Sequence, residues 1–337
     1  MRLVIVLLLP LLLSACQDNA DQGGGSAGVV DRQGSLETYL KGIQLGQDGM
    51  DDWVEPGDAR RADFASALQL LLSGDVDQAA AAAANAGYEL QRYQDTDLDP
   101  ARTHYVLAEQ HPFGSTGFTG GGTYVYYPDG VPLAIEVPHP LFDTHTDLEG
   151  IEQYLQLGAR FLLLSGTHRH SSPTATTCSG TTDYRRSDPA HYDQHLFQTV
   201  HEVADQTYAD LLFLQLHGFG SSSLSALQQA TGITSDSAVI VSQGTTADST
   251  TAEQGFAARL AQAVNNSTNV QAVIYPYEYN QLGGTRNVQG RYTNGSSDPC
   301  TQAAASHSGR FVHLEQSYTV RDTQRSVITQ AIAAALP

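Results

Sequence analysis

From residue 131 to the carboxyl terminus, short apolar runs of strand length alternate with stretches of helical period, and that alternation confines the chain to an α/β architecture. The runs are LAIEVPH (133–139), RFLLLSG (160–166), LLFLQLHGF (211–219), AVIVSQG (238–244), VQAVIYPYEY (270–279) and RFVHLEQS (310–317). Helical segments fill residues 147–158, 193–208 and 252–264, and a last one begins near Arg321. Parallel neighbours need a crossover of a dozen or so residues, which such helices supply, so the expected fold is a mostly parallel or mixed central sheet flanked by helices. Ahead of it, YELQRY, THYVLAEQ and GGTYVYYP cluster β-formers between Asp, Pro and Gly turns and predict hairpins at the sheet edge. Residues 35–86 have a helical period instead: Leu36, Tyr39, Leu40 and Ile43 recur on one face, and 62–72 and 76–86 continue it, with stops at Gly74 and Gly87. The division that follows is an α/β hydrolase-like domain over 88–337, hairpins included, behind a small helical lead-in over 31–87.

Residues 1–15 read as an export signal. Arg2 supplies the charged start, and the apolar run 3–13, interrupted by Pro10, is too short to span a bilayer, which takes about 20 residues. Leu13-Ser14-Ala15-Cys16 closes it as a lipobox, so cleavage before Cys16 would leave that residue lipidated at the head of the mature chain. Residues 16–30, with Gly23-Gly24-Gly25, then form a flexible tether. Gln17 after the cysteine, in place of Asp, points to the outer membrane in Gram-negative sorting. The expected location is the cell envelope of a bacterium, with the lipid as the one membrane contact.

With Cys16 lipidated, Cys178 and Cys300 remain as an even pair in an oxidising compartment, and a disulfide between them is expected. No CxxC pair occurs, which excludes a cysteine-based zinc site. The formal charge of −19 repels phosphates and argues against nucleic acid as a partner. Neither a G-x-S-x-G elbow nor P-loop spacing is present, so serine-hydrolase and nucleotide chemistry lack support.

In open α/β sheets the chemistry gathers at the carboxyl ends of the strands. Three runs deliver ionisable residues there: His139 after LAIEVP, His217 after LLFLQL, and Glu315 late in RFVHLEQ. Asp143 follows His139 at a spacing that a turn can fold back, so His139, Asp143 and His217 make a three-ligand set of the kind that holds catalytic zinc with one position open. Glu315 then suits the general base. Other histidines offer alternatives: His191 and His195 lie four apart on the predicted helix, His145 could replace a ligand, His168 and His170 flank Arg169, and His313 shares strand parity with Glu315.

This order of residues resembles the zinc carboxypeptidase superfamily: a histidine with a carboxylate soon after it, a strand-end arginine, a second histidine, and a late glutamate in an F-x-x-x-E strand. More narrowly, AIEVPH followed by Thr144-His145-Thr146-Asp147, then Ala159-Arg160-Phe161 running to His168-Arg169, resembles the N-formylglutamate amidohydrolases. The likeness covers residues 131–320. It implies a carboxypeptidase-like fold, zinc on His139, Asp143 and His217, Glu315 as base, and Arg169 gripping a substrate carboxylate through its planar fork. The H-x-x-E spacing of the carboxypeptidases is absent, so Asp147 and Glu149 stand beside Asp143 as candidates for the third ligand. His168 replaces an asparagine and is carried as a substrate contact, and Arg291, in a loop close to Cys300, is a second arginine for substrate. The expectation is a zinc hydrolase of amide bonds in a small carboxylate-bearing acylated amino acid or peptide. A non-catalytic envelope module binding a peptide, glycan or metal is the alternative, and a zinc esterase or deacetylase a third.

Overall fold

The computed structural model describes residues 28–247 and 255–337. The signal segment, Cys16 and most of the tether lie outside the described residues. In chain order the elements are β1 (Val30–Gly34), α1 (Leu36–Lys41), α2 (Asp58–Leu72), α3 (Val76–Asn85), β2 (Tyr88–Asp95), β3 (Arg102–Glu109), β4 (Thr123–Tyr126), β5 (Val131–Val137), α4 (Thr146–Leu157) and β6 (Ala159–Leu164). They continue with α5 (Leu196–Thr207), β7 (Leu212–Gly218), α6 (Ser221–Thr231), β8 (Ala238–Ser242), α7 (Phe256–Asn265), β9 (Gln271–Ile274), α8 (Val288–Thr293), β10 (Phe311–Gln316), α9 (Tyr318–Thr323) and α10 (Arg325–Ala335). No helix among the described residues is long and apolar enough to cross a membrane.

One ten-stranded mixed sheet, ordered β1-β2-β3-β4-β6-β5-β7-β10-β8-β9, runs through the molecule. Its centre, β6-β5-β7-β10, is parallel, and β2, β3 and β4 form an antiparallel meander that joins β6. The hairpins therefore extend the main sheet rather than standing apart from it. Helices cover both faces. Leu133, Ile135, Val137, Leu214 and Leu216 pack against α4, α7 and α10, while Ala134, Phe161, Phe213 and Phe311 pack against α2, α3 and α5. The crossover α4 lies close on β5 because residue 150 is glycine: a Cβ there would meet Val137 Cγ2 at 2.4 Å.

Several expectations shift. Val30–Gly34, read as tether and lead-in, is a strand parallel to β2 that covers the sheet edge. The lead-in helix stops at Gly42, and residues 42–57 run without a helix, clamped to the loop after β6 through Gly46 and Thr167. Helix α6 was not expected because its Ser-rich start hides the period, and α8 because residues 287–296 read as a polar loop. His191 and His195 do not share a helical face: α5 begins at Leu196, with His195 as its N-cap accepting from the Phe197 amide. Strand β9 ends at Ile274, just before Tyr275-Pro276, since proline offers no N–H to a ladder.

Candidate metal centre

The site grows from a change of character along one face of three adjacent strands. On β7 the residues of one parity run Phe213, Gln215, His217; on β10 they run Phe311, His313, Glu315; on β5, Ala134 leads to Glu136. The parallel register sets Glu136 beside Gln215, Gln215 beside His313, and His217 beside Glu315. An apolar floor thus gives way to a polar layer and then to ionisable residues at the carboxyl ends. His139 stands two residues past β5, and the Asp143 amide donates to the His139 carbonyl at 2.9 Å, so a turn brings that carboxylate back beside its ring.

His139 and Asp143 are buried, and so is His217. Asp143 Oδ2 lies 3.1 Å from His139 Nδ1 and 3.3 Å from His217 Nδ1. Ligand atoms at about 2.0–2.2 Å from a tetrahedral zinc stand roughly 3.3 Å apart, so the spacing fits a cation among the three. The tautomers fit as well. His139 Nε2 lies 2.9 Å from Asp188 Oδ1, which can only accept. His217 Nε2 lies 2.7 Å from Gln215 Oε1, and the Gln215 amide nitrogen donates to Glu136 Oε2 at 2.9 Å, so Oε1 is the atom left for His217. Both histidines set Nε2 against an acceptor, as metal-ligating imidazoles do toward an outer partner, and both Nδ1 atoms face the same carboxylate oxygen.

Three acceptor atoms so arranged need a proton or a metal ion between them. Burial opposes a proton on His139, and Arg169 does too, yet Asp188 and Asp143 outweigh them and raise its pKa. Burial takes His217 the other way, down to about 4 despite Asp143, so its Nδ1 keeps a lone pair at neutral pH. Burial alone would raise the Asp143 carboxyl, but His139 and His217 hold it well below the ordinary range. The donor set therefore matches a borderline divalent cation such as zinc.

Asp188 and His191, which the sequence did not single out together, complete the surroundings. The buried Asp188 accepts from His139 and from the Ala190 amide at 3.2 Å, has His191 Nδ1 at 3.0 Å, and pairs with Arg169. Both residues sit in the long loop between β6 and α5. The Cys178–Cys300 disulfide ties that loop to the segment after α8, beside Trp53, Tyr192 and Val288.

Glu315 and His313 close the other side. Burial, and then the Asp143 charge, push Glu315 up to about 8. Burial, followed by His217, takes His313 well below its ordinary value, so the ring is neutral. His313 Nε2 and Glu315 Oε1 are 3.8 Å apart, and Glu315 Oε2 and His313 Nδ1 have no hydrogen-bond partner among the described residues. Buried polar atoms left open in this way mark where a ligand belongs.

The structure brings His139, Asp143, His217 and Glu315 together, with Arg169 at their border. The Arg169 guanidinium pairs with Asp188 and lies over the rings of Phe142, at 5.0 Å, and Tyr184, at 5.7 Å. Other candidates fall elsewhere. Arg291 is buried, with Nε on the Thr285 carbonyl and Nη1 on Ser179 and the carbonyls of Pro299 and Cys300, so it braces the disulfide loops instead of meeting substrate. Glu149 is buried on α4 between Gln153 and Gln316, and Asp147 sits in the first turn of that helix; neither joins the His139 cluster. His145 stands against Asp322 and Tyr318. His168 turns its Nδ1 toward Asp48, with the Phe142 ring in contact with both it and His139. A cavity of about 590 Å³ opens near Tyr39, Phe113, Phe118 and Gly166, and none of the clustered ionisable residues lines it.

No family model and no curated protein matches this sequence. Among solved structures the chain is similar to a bacteriophage poly-gamma-glutamate hydrolase, with 13% identity over 61% of this chain and 84% of that one and a TM-score of 0.34. It is similar also to N-formylglutamate amidohydrolase from Ralstonia eutropha JMP134, with 13% identity over 61% and 91% and a TM-score of 0.34. A zinc-free apo form of YNDL shares 12% identity over 62% and 86%, with a TM-score of 0.32. Overlaps this loose carry no functional argument, and the chemistry has to be read from the site itself.

Proposed function

We propose that this protein is a zinc-dependent hydrolase of amide bonds in small, carboxylate-bearing acylated amino acids or peptides. The observation that carries the reading is the shared geometry of His139 and His217. Each sets Nε2 against a buried acceptor and Nδ1 within 3.3 Å of Asp143 Oδ2. A zinc ion held by His139, Asp143 and His217 would supply a Lewis acid for the scissile carbonyl and would offset the Asp143 charge.

The chain's own groups do the rest. Glu315, beside His217 in the register and with Oε2 unpartnered, would take a proton from the attacking water and pass it to the leaving nitrogen once the charge of a cation in the site has ionised its raised carboxyl. Arg169, held at Nη2 by Asp188, keeps its Nε unpartnered, and its remaining edge orients a substrate carboxylate. Phe142, 48% exposed beside Arg169, forms an apolar wall for the acyl part.

The same proposal places the enzyme in the cell envelope, held by lipid on Cys16, with no nucleic-acid partner. The lipobox supports this, and a disulfide suits an oxidising compartment. Elemental analysis of the purified protein should find near-stoichiometric zinc. A panel of N-acyl amino acids and short peptides, with and without a free carboxylate, should show hydrolysis of the carboxylate-bearing members. Bound zinc with no turnover across amides and esters would leave the fold as a binding module and sink the hydrolase reading.

A further inference from the structure

We infer that Asp48, His168 and His170 form a second site for a borderline divalent transition cation, on the rim of the first and built partly from the lead-in segment. Each offers one ligand atom, and the three atoms lie within 4.8 Å of one another. The placement is fixed by backbone. The Gly46 amide donates to the Gly166 carbonyl at 2.9 Å, the His168 amide donates to the Gly46 carbonyl at 2.7 Å, and Ser171 Oγ donates to the Gln47 carbonyl at 2.8 Å. The crossing is tight enough to require glycine, since a Cβ on Gly46 would meet Thr167 Cγ2 at 2.7 Å. Asp48 is thereby carried to the two histidines by a stapled strand of chain.

The histidines are short of partners for their chemistry. The His170 amide donates to His168 Nδ1 at 3.2 Å, which keeps the proton on Nε2, and a cation on Nδ1 would take the ring lone pair from that amide. Asp48 Oδ1 stands 3.4 Å from that nitrogen, acceptor facing acceptor, at the separation of two ligands on one tetrahedral ion, roughly 3.3 Å. Neither ring nitrogen of His170 has a hydrogen-bond partner among the described residues, and both are open to solvent on a ring that packs against Phe142 and His168. Two imidazoles and a carboxylate are a donor set for zinc or nickel rather than calcium or magnesium. A cation here would pin residues 46–48 to the rim of the His139 centre.

Isothermal titration of Zn²⁺ into the chelator-stripped mature chain tests this. Two equivalents are expected in the wild type. Asp143→Ala should keep the rim equivalent, and His170→Ala should lose it while keeping the other. Asp48→Asn, an exposed and nearly isosteric change, should weaken the rim site by at least the roughly 10–100-fold that loss of an outer metal partner costs. A single equivalent that Asp143→Ala removes, or a second equivalent indifferent to both Asp48→Asn and His170→Ala, overturns the inference. If the His139 centre holds no metal, one equivalent should still appear, spared by Asp143→Ala and weakened by Asp48→Asn, so the two readings fail separately.

Discussion

The two faces of β5, β7 and β10 differ by one residue of phase and by everything else. On one face Leu133, Ile135, Val137, Leu212, Leu214, Leu216, Val312 and Leu314 form a continuous apolar surface that ends in Gln316 on β10. On the other, Ala134, Phe213 and Phe311 yield to Glu136, Gln215 and His313, and then to His217 and Glu315. The first face removes apolar surface from water at about 25 cal/mol per Å² and anchors the sheet. The second gives up that gain over its outer half and offsets it by pairing its inner polar layer, Glu136 with His201 at 2.6 Å and His201 with Thr293 at 2.8 Å, while Glu315 Oε2 and His313 Nδ1 stay open at the outer end. One set of strands thus separates an apolar face from an ionisable one by parity alone.

Substitutions on the two faces should therefore fail in different currencies of measurement. The largest effect is expected from Glu315→Gln, which should lower kcat by about 10²–10⁴-fold on any substrate found while zinc content stays at wild-type level. Loss of the metal in that variant would make Glu315 a ligand. On the opposite face Leu214→Ala should cost about 2–5 kcal/mol in chemical denaturation and leave the zinc affinity of the folded protein unchanged. Gln215→Leu, which removes the acceptor for His217 Nε2, should weaken zinc by about 10–100-fold in competition with a chelator, and an unchanged affinity would detach the polar layer from the site.

Two further effects, both read as stability, probe the polar ends of the apolar face and the loop clamp. Glu149, buried beneath Gln316 at the end of that face, has its pKa raised by burial to about 7. Because the folded value lies above the ordinary one, its contribution is fully present below pH 4.5 and is lost as pH rises through 7, by on the order of 3 kcal/mol. Glu149→Gln should flatten that part of the stability profile, and parallel profiles for the two proteins would exclude it. Cys178→Ala with Cys300→Ala should cost about 2–5 kcal/mol, read by thermal denaturation of the double variant against the parent.

Much of this was legible beforehand, for local reasons. Strand runs 133–139, 211–217 and 311–316 announce themselves by β-formers, and their ionisable ends flagged His139, His217 and Glu315. The even pair of cysteines likewise led to the disulfide. What stayed hidden depends on long-range closure. Asp188 comes from a loop whose path is set by a bond between residues 122 apart, and nothing in SDPAH announces that it will meet His139. Arg291 was read as a substrate contact because it lies in a polar loop near a cysteine, and in the fold its Nε and Nη1 bond to Ser179 and to loop carbonyls. Gln215 and Glu136 had a readable signal: each is a polar residue of the site's parity inside an apolar run.

By itself the sequence determined the central strands, their two faces and which strand ends carry ionisable side chains, because period and burial act within a few residues. The tertiary structure alone decided the order of the strands, the partner behind each histidine, and the crossing at Gly46 that brings the lead-in to the rim. Those depend on register and loop closure between distant segments, and no short window of residues encodes them.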